Sequence, residues 1–254
     1  MKTILRMSDG ISICISAWKA EKYIEECLDS IYGQTWFKAH DNWEVLIGID
    51  GCEETLKKVV AIKNKYKNLR VFMMDSNKGT YVTCNTIMKE SKYDWLLRFD
   101  SDDIMLPTCV ETFMGVCKNY DLIVGNVVNF GMETKVTNQI KKGVGQQMIR
   151  KSAFFELNGY DNYRISMDSD LIKKMRKFYR YKYIEKTIAK RRQHEGSLTC
   201  SEDTCTNILK DRSISKKRLE VYSIIKNPQR YATRSGIKNK TFVVNTYKEI
   251  SDYE

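Results

Sequence analysis

Apolar residues along this chain come in short blocks of two kinds, alternating in order. Ile11-Ser-Ile-Cys-Ile15 interleaves branched and small residues and predicts a buried strand. From Glu21, the apolar Tyr23, Ile24, Cys27, Leu28 and Ile31 recur at helical spacing, with Gly33 past the end. Residues 45–49 predict a second strand, stopped by Asp50-Gly51, and Leu56, Val59, Val60 and Ile62 a second helix. A third strand over 71–74 leads into the loop Ser76-Asn77-Lys78-Gly79 and a helix carrying Val82, Ile87 and Met88. Residues 95–99 give a fourth strand, ending at Asp100-Ser-Asp102-Asp103. Pro107 suits the first turn of the next helix, where its missing N–H costs nothing.

Strands alternating with helices imply right-handed β-α-β crossovers and a mostly parallel sheet flanked by helices. Functional groups in such α/β folds collect beyond the carboxyl ends of the strands. Asp50 and the acids at 100–103 both fall there. The last fifty or so residues are polar and basic, with helical spacing at Ile208, Leu209, Leu219, Tyr222 and Ile225. The chain therefore divides into an α/β domain over residues 1–200 and a basic, partly helical extension over 201–254.

Composition narrows the class. With 254 residues and 42% hydrophobic content there is enough apolar material for a core, which excludes wholesale disorder. Two prolines and 13 glycines exclude collagen-like and low-complexity chains. No apolar run approaches the roughly 18 residues of a membrane span. The opening MKTILRMSDG is broken by Arg6, Ser8 and Asp9 and does not read as a signal peptide. The eight cysteines form no C-x-x-C and read as small thiols in a reducing cytosol. The net charge of +11 is concentrated: residues 173–192 hold ten Lys and Arg against Glu185. Such a run is either a solvated face or a surface for an anionic substrate or membrane. With no zinc-finger spacing and no RNP-like aromatic motif, nucleic acid is disfavoured.

Three carboxylates within four positions repel one another unless a cation neutralises them, and hard oxygen ligands favour Mg²⁺ or Mn²⁺. The alternative is an acidic turn in which Asp103 caps a helix. Neither a P-loop nor a G-x-G-x-x-G after the first strand is present.

The ordered segments together resemble the inverting family 2 glycosyltransferases of the GT-A fold. Their opening S-V-I-I-P-x-Y-N-x-E-x-Y-L is approached by Ser12-Ile-Cys-Ile-Ser16-Ala-Trp18-Lys19-Ala-Glu21-Lys-Tyr23-Ile24, and their Q-T by Gln34-Thr35. Glu44 through Asp50-Gly51-Cys52 is similar to E-I-I-V-V-D-D-G-S, Asn77-Lys-Gly79 to N-x-G, and Asp100-Ser-Asp102-Asp103 to the metal motif. Arg150-Lys-Ser-Ala-Phe154 with Gly159-Tyr160-Asp161 is similar to R-R-x-x-F…G-G-F-D. Met167-Asp168-Ser-Asp170-Leu171 follows E-D-x-D-L, and Arg192-Gln-His194-Glu-Gly-Ser197 follows R-x-H-x-x-S. The likeness covers about residues 10–200. Departures are Ser16 for Pro, Lys19 for Asn, Cys84 for a frequent Arg and Met167 for Glu.

The resemblance implies a nucleotide lying across Ser16, Ala17, Glu21, Asp50 and Asn77, with the Asp50 carboxylate accepting the imide N–H of uracil in a UDP-sugar. The other reading of Asp50 is a turn-former with Gly51. It further implies Mn²⁺ or Mg²⁺ on Asp102, Asp100 (or Asp100 on the ribose) and His194, with Arg192 and Ser197 closing over the diphosphate. His194 has a structural reading as well. Between the two acids of Asp168-Ser-Asp170, helical spacing puts Asp168 with the stripe Leu171, Ile172 and Met175, and Asp170 toward Lys173 and Lys174. Asp168 is thus the expected general base. The expected activity is transfer of a sugar, with inversion, to a hydroxyl of a glycan, glycolipid or glycoprotein. The expected location is the cytoplasm, with peripheral contact to an anionic membrane. Two rivals are an inactive GT-A-like module binding an anionic partner, and a metal-dependent nucleotidyltransferase.

Overall fold

The structure is a computed structural model and describes residues 10–132, 138–162, 166–195 and 242–250. Four strands form its parallel heart: β1 (Ile11–Ala17), β2 (Trp43–Ile49), β3 (Leu69–Met74) and β4 (Trp95–Asp100), with β1 between β2 and β4. The crossovers are α1 (Ile24–Tyr32), α2 (Glu53–Ile62) and α3 (Thr80–Lys89), as the apolar spacing predicts. β5 (Ile104–Met105), α4 (Cys109–Met114), β6 (Leu122–Gly131), β7 (Ile140–Arg150), α5 (Lys151–Glu156), α6 (Met167–Phe178), β8 (Tyr181–Gln193) and β9 (Tyr247–Ile250) follow. Pro107 lies just before α4, one residue ahead of its cap Thr108, rather than in the first turn.

The nine strands make one sheet in the order β5-β8-β6-β7-β4-β1-β2-β3-β9. It is mixed rather than mostly parallel. β7 runs antiparallel to both β4 and β6, β5 antiparallel to β8 and β9 antiparallel to β3, while β6 and β8 are parallel. The strands after β4 interleave Gly, Asn, Gln and Lys with their apolar residues, so no apolar block marked them in the sequence.

Both faces of the central strands are buried, each by its own set of side chains. Ile11, Ile13 and Ile15 of β1 meet Ile24, Leu28 and Ile31 of α1, Val59 of α2 and Phe113 of α4. Cys14, one step out of phase, faces the opposite cluster with Ile87 of α3, Phe154 of α5 and Leu171 and Met175 of α6. This is the period-two alternation of a strand covered on both sides. Leu28 has no exposed surface, and truncating it to Ala would cost about 2–5 kcal/mol. Val60 is 39% exposed and falls outside the stripe in which its spacing placed it. Cys14, Cys27, Cys52, Cys84, Cys109 and Cys117 are buried free thiols. Cys200, Cys205, Ser197 and the apolar positions 208–225 lie outside the described residues. Among the described residues no helix is long and apolar enough to cross a membrane.

Candidate functional site

The parallel strands end together. Ala17 is in register with Ile49, and Ser16 with Asp100, so the first residues beyond β1, β2 and β4 share one edge. The Asp50 N–H donates to the Ala17 carbonyl (2.9 Å). The Asp50 carboxylate is 98% withdrawn from solvent, at 2% exposure, and accepts from Lys78 N–H (3.0 Å), Gly79 N–H (2.9 Å) and the Thr83 hydroxyl (2.9 Å). Its work in this structure is to hold the loop that presents Asn77, which is itself exposed. Gly51 closes the turn at φ +66°, and a Cβ there would come within 2.5 Å of the Asn77 nitrogen. That conformation and that proximity both require glycine. Glu21 accepts from the Thr55 hydroxyl (3.2 Å), which in turn accepts the Ala20 N–H (3.0 Å).

The acids after β4 are each met by a different element. Arg98, four per cent exposed, donates Nη2–H to Asp100 Oδ1 (2.6 Å) and Nη1–H to the Gly145 carbonyl (2.5 Å). Its guanidinium also stands beside Cys84, the position at which the chain lacks the frequent arginine. Gln146 of β7 gives its amide hydrogens to Asp100 Oδ2 (3.2 Å) and Asp103 Oδ2 (2.6 Å). Asp103 also accepts the Arg192 N–H (2.8 Å), so it ties β8 to the acidic turn and does not cap a helix. Burial pushes the Asp100 carboxyl up to about 6; Arg98 pulls it back, and Asp102 and Asp168 add repulsion. Burial likewise raises Asp103 well above the usual carboxylate range.

A ring nitrogen of His194, Nε2, lies 2.9 Å from Asp102 Oδ2, and the imidazole packs on Tyr23 with centroids 4.7 Å apart. This brings together two of the three expected metal ligands. Asp100 is not joined to them: no group of three His, Cys, Asp or Glu side chains among the described residues is arranged to hold an ion. The physical reason is Arg98, which takes one Asp100 oxygen while Gln146 takes the other. The oxygen and imidazole donors of Asp102 and His194, beside two carboxylates that burial first and neighbouring carboxylates second make proton-prone, still suit a hard divalent cation. Arg192 pairs with Glu26 of α1, donates Nε–H to the Asp102 carbonyl (2.8 Å), and lies over the rings of Tyr23 and Phe130.

Asp170 pairs with Lys174 as the helical spacing expects, but it is Asp170 and not Asp168 that is buried. Asp170 is fully buried, with Oδ2 3.1 Å from Lys174 Nζ, and Lys174 also meets Asp161 Oδ1 at 3.3 Å. Lys174 is therefore core, not part of a basic surface. Asp168 is half-buried at the start of α6, where it accepts the Ser169 N–H (2.6 Å). A Cβ built on Gly145 would lie 2.9 Å from Asp100 Oδ2 and 3.8 Å from Asp168 Oδ2. Both carboxylates thus approach one bare position of β7. Gln147 fixes the turn beneath by donating to the Asp168 carbonyl (2.9 Å).

Sequence reasoning overlooked Arg98, Gly145, Gln146 and Gln147. Arg98 alone left a signal, as a single charge inside the apolar run Trp-Leu-Leu-Arg-Phe. A cavity of about 380 Å³ lined by Trp36, His40, Trp95 and Cys117 lies at the opposite, amino-terminal edge of the strands, away from these acids.

Comparisons with known proteins agree with this architecture. The family described as Glycosyl transferase family 2 matches residues 12–183. Glycosyltransferase GlyG of Streptococcus pneumoniae is 26% identical over 127 residues, 49% of this chain and 41% of that protein. Teichoic acid poly(glycerol phosphate) polymerase of Staphylococcus epidermidis is 26% identical over 122 residues, 47% of this chain and 16% of that protein. The chain spans less than half the length of these curated relatives. In fold it is similar to S. aureus TarS 1-349 in complex with UDP-GlcNAc, with a TM-score of 0.65 at 18% identity over 90% of this chain and 70% of that one.

Proposed function

The chain belongs to glycosyl transferase family 2, and from that premise we propose that it transfers a sugar from a UDP-sugar to a glycan-type hydroxyl, with inversion, using Asp168 as base. The observation carrying this reading is that the Asp168 and Asp100 carboxylates both approach Gly145, within 3.8 and 2.9 Å of a Cβ built there. Acceptor and leaving group must lie on opposite faces of the anomeric carbon in a single displacement. In this reading the acceptor oxygen attacks from the Asp168 side, Asp168 takes its proton, and the bond to the UDP oxygen breaks toward the Asp100–Asp103 side.

The donor lies across Ser16, Ala17, Glu21 and the Asn77 loop, with Asp50 acting chiefly by shaping that loop. A UDP donor is supported by the nucleotide in the TarS structure of similar fold. Asp102 and His194 are the residues that would hold Mn²⁺ or Mg²⁺, with Asp100 on the ribose side. Such an ion would neutralise charge growing on the departing diphosphate. Arg192 exchanges Glu26 for a phosphate oxygen when donor binds, and Ser197 follows it in sequence. Exposed Lys173, Arg176 and Lys177 lie further along the helix that begins with the base, so we assign them to an anionic acceptor or the cytoplasmic surface of an anionic membrane. Residues 1–200 carry the catalytic domain and 201–254 an extension, of which the strand β9 belongs to the domain's own sheet.

Asp168→Asn keeps size and removes the proton acceptor, so turnover should fall by roughly 10²–10⁴ while UDP affinity holds. Near-parental turnover in this variant, or a product of retained anomeric configuration by NMR, overturns the assignment.

A further inference from the structure

The segment 242–250 returns to the domain at the edge of β3, and its first turn does more than cover that edge. Within it Asn245 is 4% exposed although Val244 and Tyr247 on either side are 36% and 37% exposed. A polar residue buried between exposed apolar ones is there for its hydrogen bonds, because it contributes little to an apolar core. Its N–H donates to the Thr86 hydroxyl of α3 (2.9 Å), and its Nδ2–H donates to the Ser76 carbonyl (2.8 Å). Next to it, the Thr246 carbonyl accepts the Asp75 N–H (3.1 Å). Upstream, the Val243 carbonyl accepts from Asn85 Nδ2 (2.9 Å).

These bonds reach the loop that Asp50 grips from the other side through Lys78 N–H and Gly79 N–H. Asn77 is the exposed residue between the two grips. We propose that Asn245 is a positioning residue for the donor: the C-terminal segment clasps the Ser76–Gly79 loop, so that a residue far along the chain sets nucleotide affinity. This rests on the reading that the Asn77 loop carries the nucleotide. The clasp is anchored independently of the loop by Arg70, which donates to both carboxylate oxygens of Glu249 (2.8 and 3.2 Å).

The test is calorimetric titration of UDP into the full chain and its variants, with donor KM and kcat measured alongside. Asn245→Asp is isosteric, removes the donor to Ser76 and sets a carboxylate against that carbonyl. It should raise the UDP Kd and donor KM about 3–10-fold, the worth of one hydrogen bond, while kcat at saturating donor stays within about two-fold. Thr86→Val, which removes the acceptor seating the Asn245 N–H, should shift Kd in the same direction and decides the matter if Asn245→Asp does not fold. Glu249→Gln loosens the anchor alone and should lower stability without changing Kd. Asn77→Ala separates the two ideas. If it weakens UDP while folded Asn245→Asp and Thr86→Val bind as the parent does, the clasp is refuted and the donor site stands. If Asn77→Ala leaves UDP binding untouched, the donor-site reading itself falls.

Discussion

Replacing Lys174 with Met tests whether Asp170 is architecture and Asp168 chemistry. Lys174 has no exposed side-chain surface, Asp170 1% and Asp161 10%, and the ammonium lies 3.1 and 3.3 Å from the two carboxylates. Burial lowers the Lys174 pKa and Asp170 opposes the shift, so the cation is held there by its partner. Methionine matches the stem of lysine and opens little cavity, so the loss is electrostatic. Taking one charge from a buried ion pair costs about 3–5 kcal/mol, and here Asp170 stays desolvated with Asp161 beside it. Against a typical total stability of about 5–15 kcal/mol, that is a large displacement of the urea midpoint. The double variant Asp170→Leu/Lys174→Met removes the fully buried pair, leaves only the 10% exposed Asp161 without its lysine, and should recover at least about 2 kcal/mol of the loss. Urea denaturation followed by circular dichroism measures all three proteins. A single-variant loss below about 1 kcal/mol, or a double variant no more stable than the single, refutes the reasoning. Asp170→Asn should correspondingly lose stability while each folded molecule keeps its turnover.

Three further outcomes follow from the site. Asp102→Asn should abolish transfer and weaken UDP binding in Mn²⁺ with the fold intact, and full parental turnover in excess EDTA would dispose of the metal. The Asp100 carboxyl, raised to about 6, keeps a proton in the folded state that the unfolded chain has lost. In metal-free protein, stability should therefore fall as pH rises from about 4 to about 6, and Asp100→Asn should reduce that slope; an unchanged slope in calorimetric scans contradicts the burial argument. Replacing Lys173, Arg176 and Lys177 with Gln should raise acceptor KM more than UDP Kd and weaken its salt dependence, whereas an acceptor KM unmoved by the change or by salt marks a solvated face.

The first four strands and three crossovers were legible because each is an apolar block with an unambiguous period, buried on both faces. Through the strands from 122 to 150 the period fails. β6 and β7 spend positions on Gly125, Asn126, Gly143, Gln146 and Gln147, so no strand is predicted there and the expectation of a mostly parallel sheet rests on the first four strands alone. The same residues explain why half the site was invisible. Gly145 matters for the side chain it lacks and Gln146 for partners 43 and 46 positions away, and neither property has a local signature. The Asp168–Asp170 choice shows a different limit. Helical spacing pairs Asp170 with Lys174, but a wheel that sorts residues by polarity does not show that the neutralised pair enters the core together.

The three acids at 100–103 show what kind of site this is. A local acidic turn would satisfy its carboxylates from its own backbone. Here Asp100 is met by Arg98 of β4 and Gln146 of β7, Asp102 by His194 just past β8, and Asp103 by Gln146 and the Arg192 N–H. The parallel half supplies the edge on which the acids stand. The antiparallel half supplies nearly every group that decides their protonation and orientation. Arg98 is the exception, and its other donor goes to the Gly145 carbonyl of that same half. The acids therefore have these partners only where β7 is paired with β4 and β8 with β6, so the chemical edge of the parallel strands depends on the packing of the later half of the sheet.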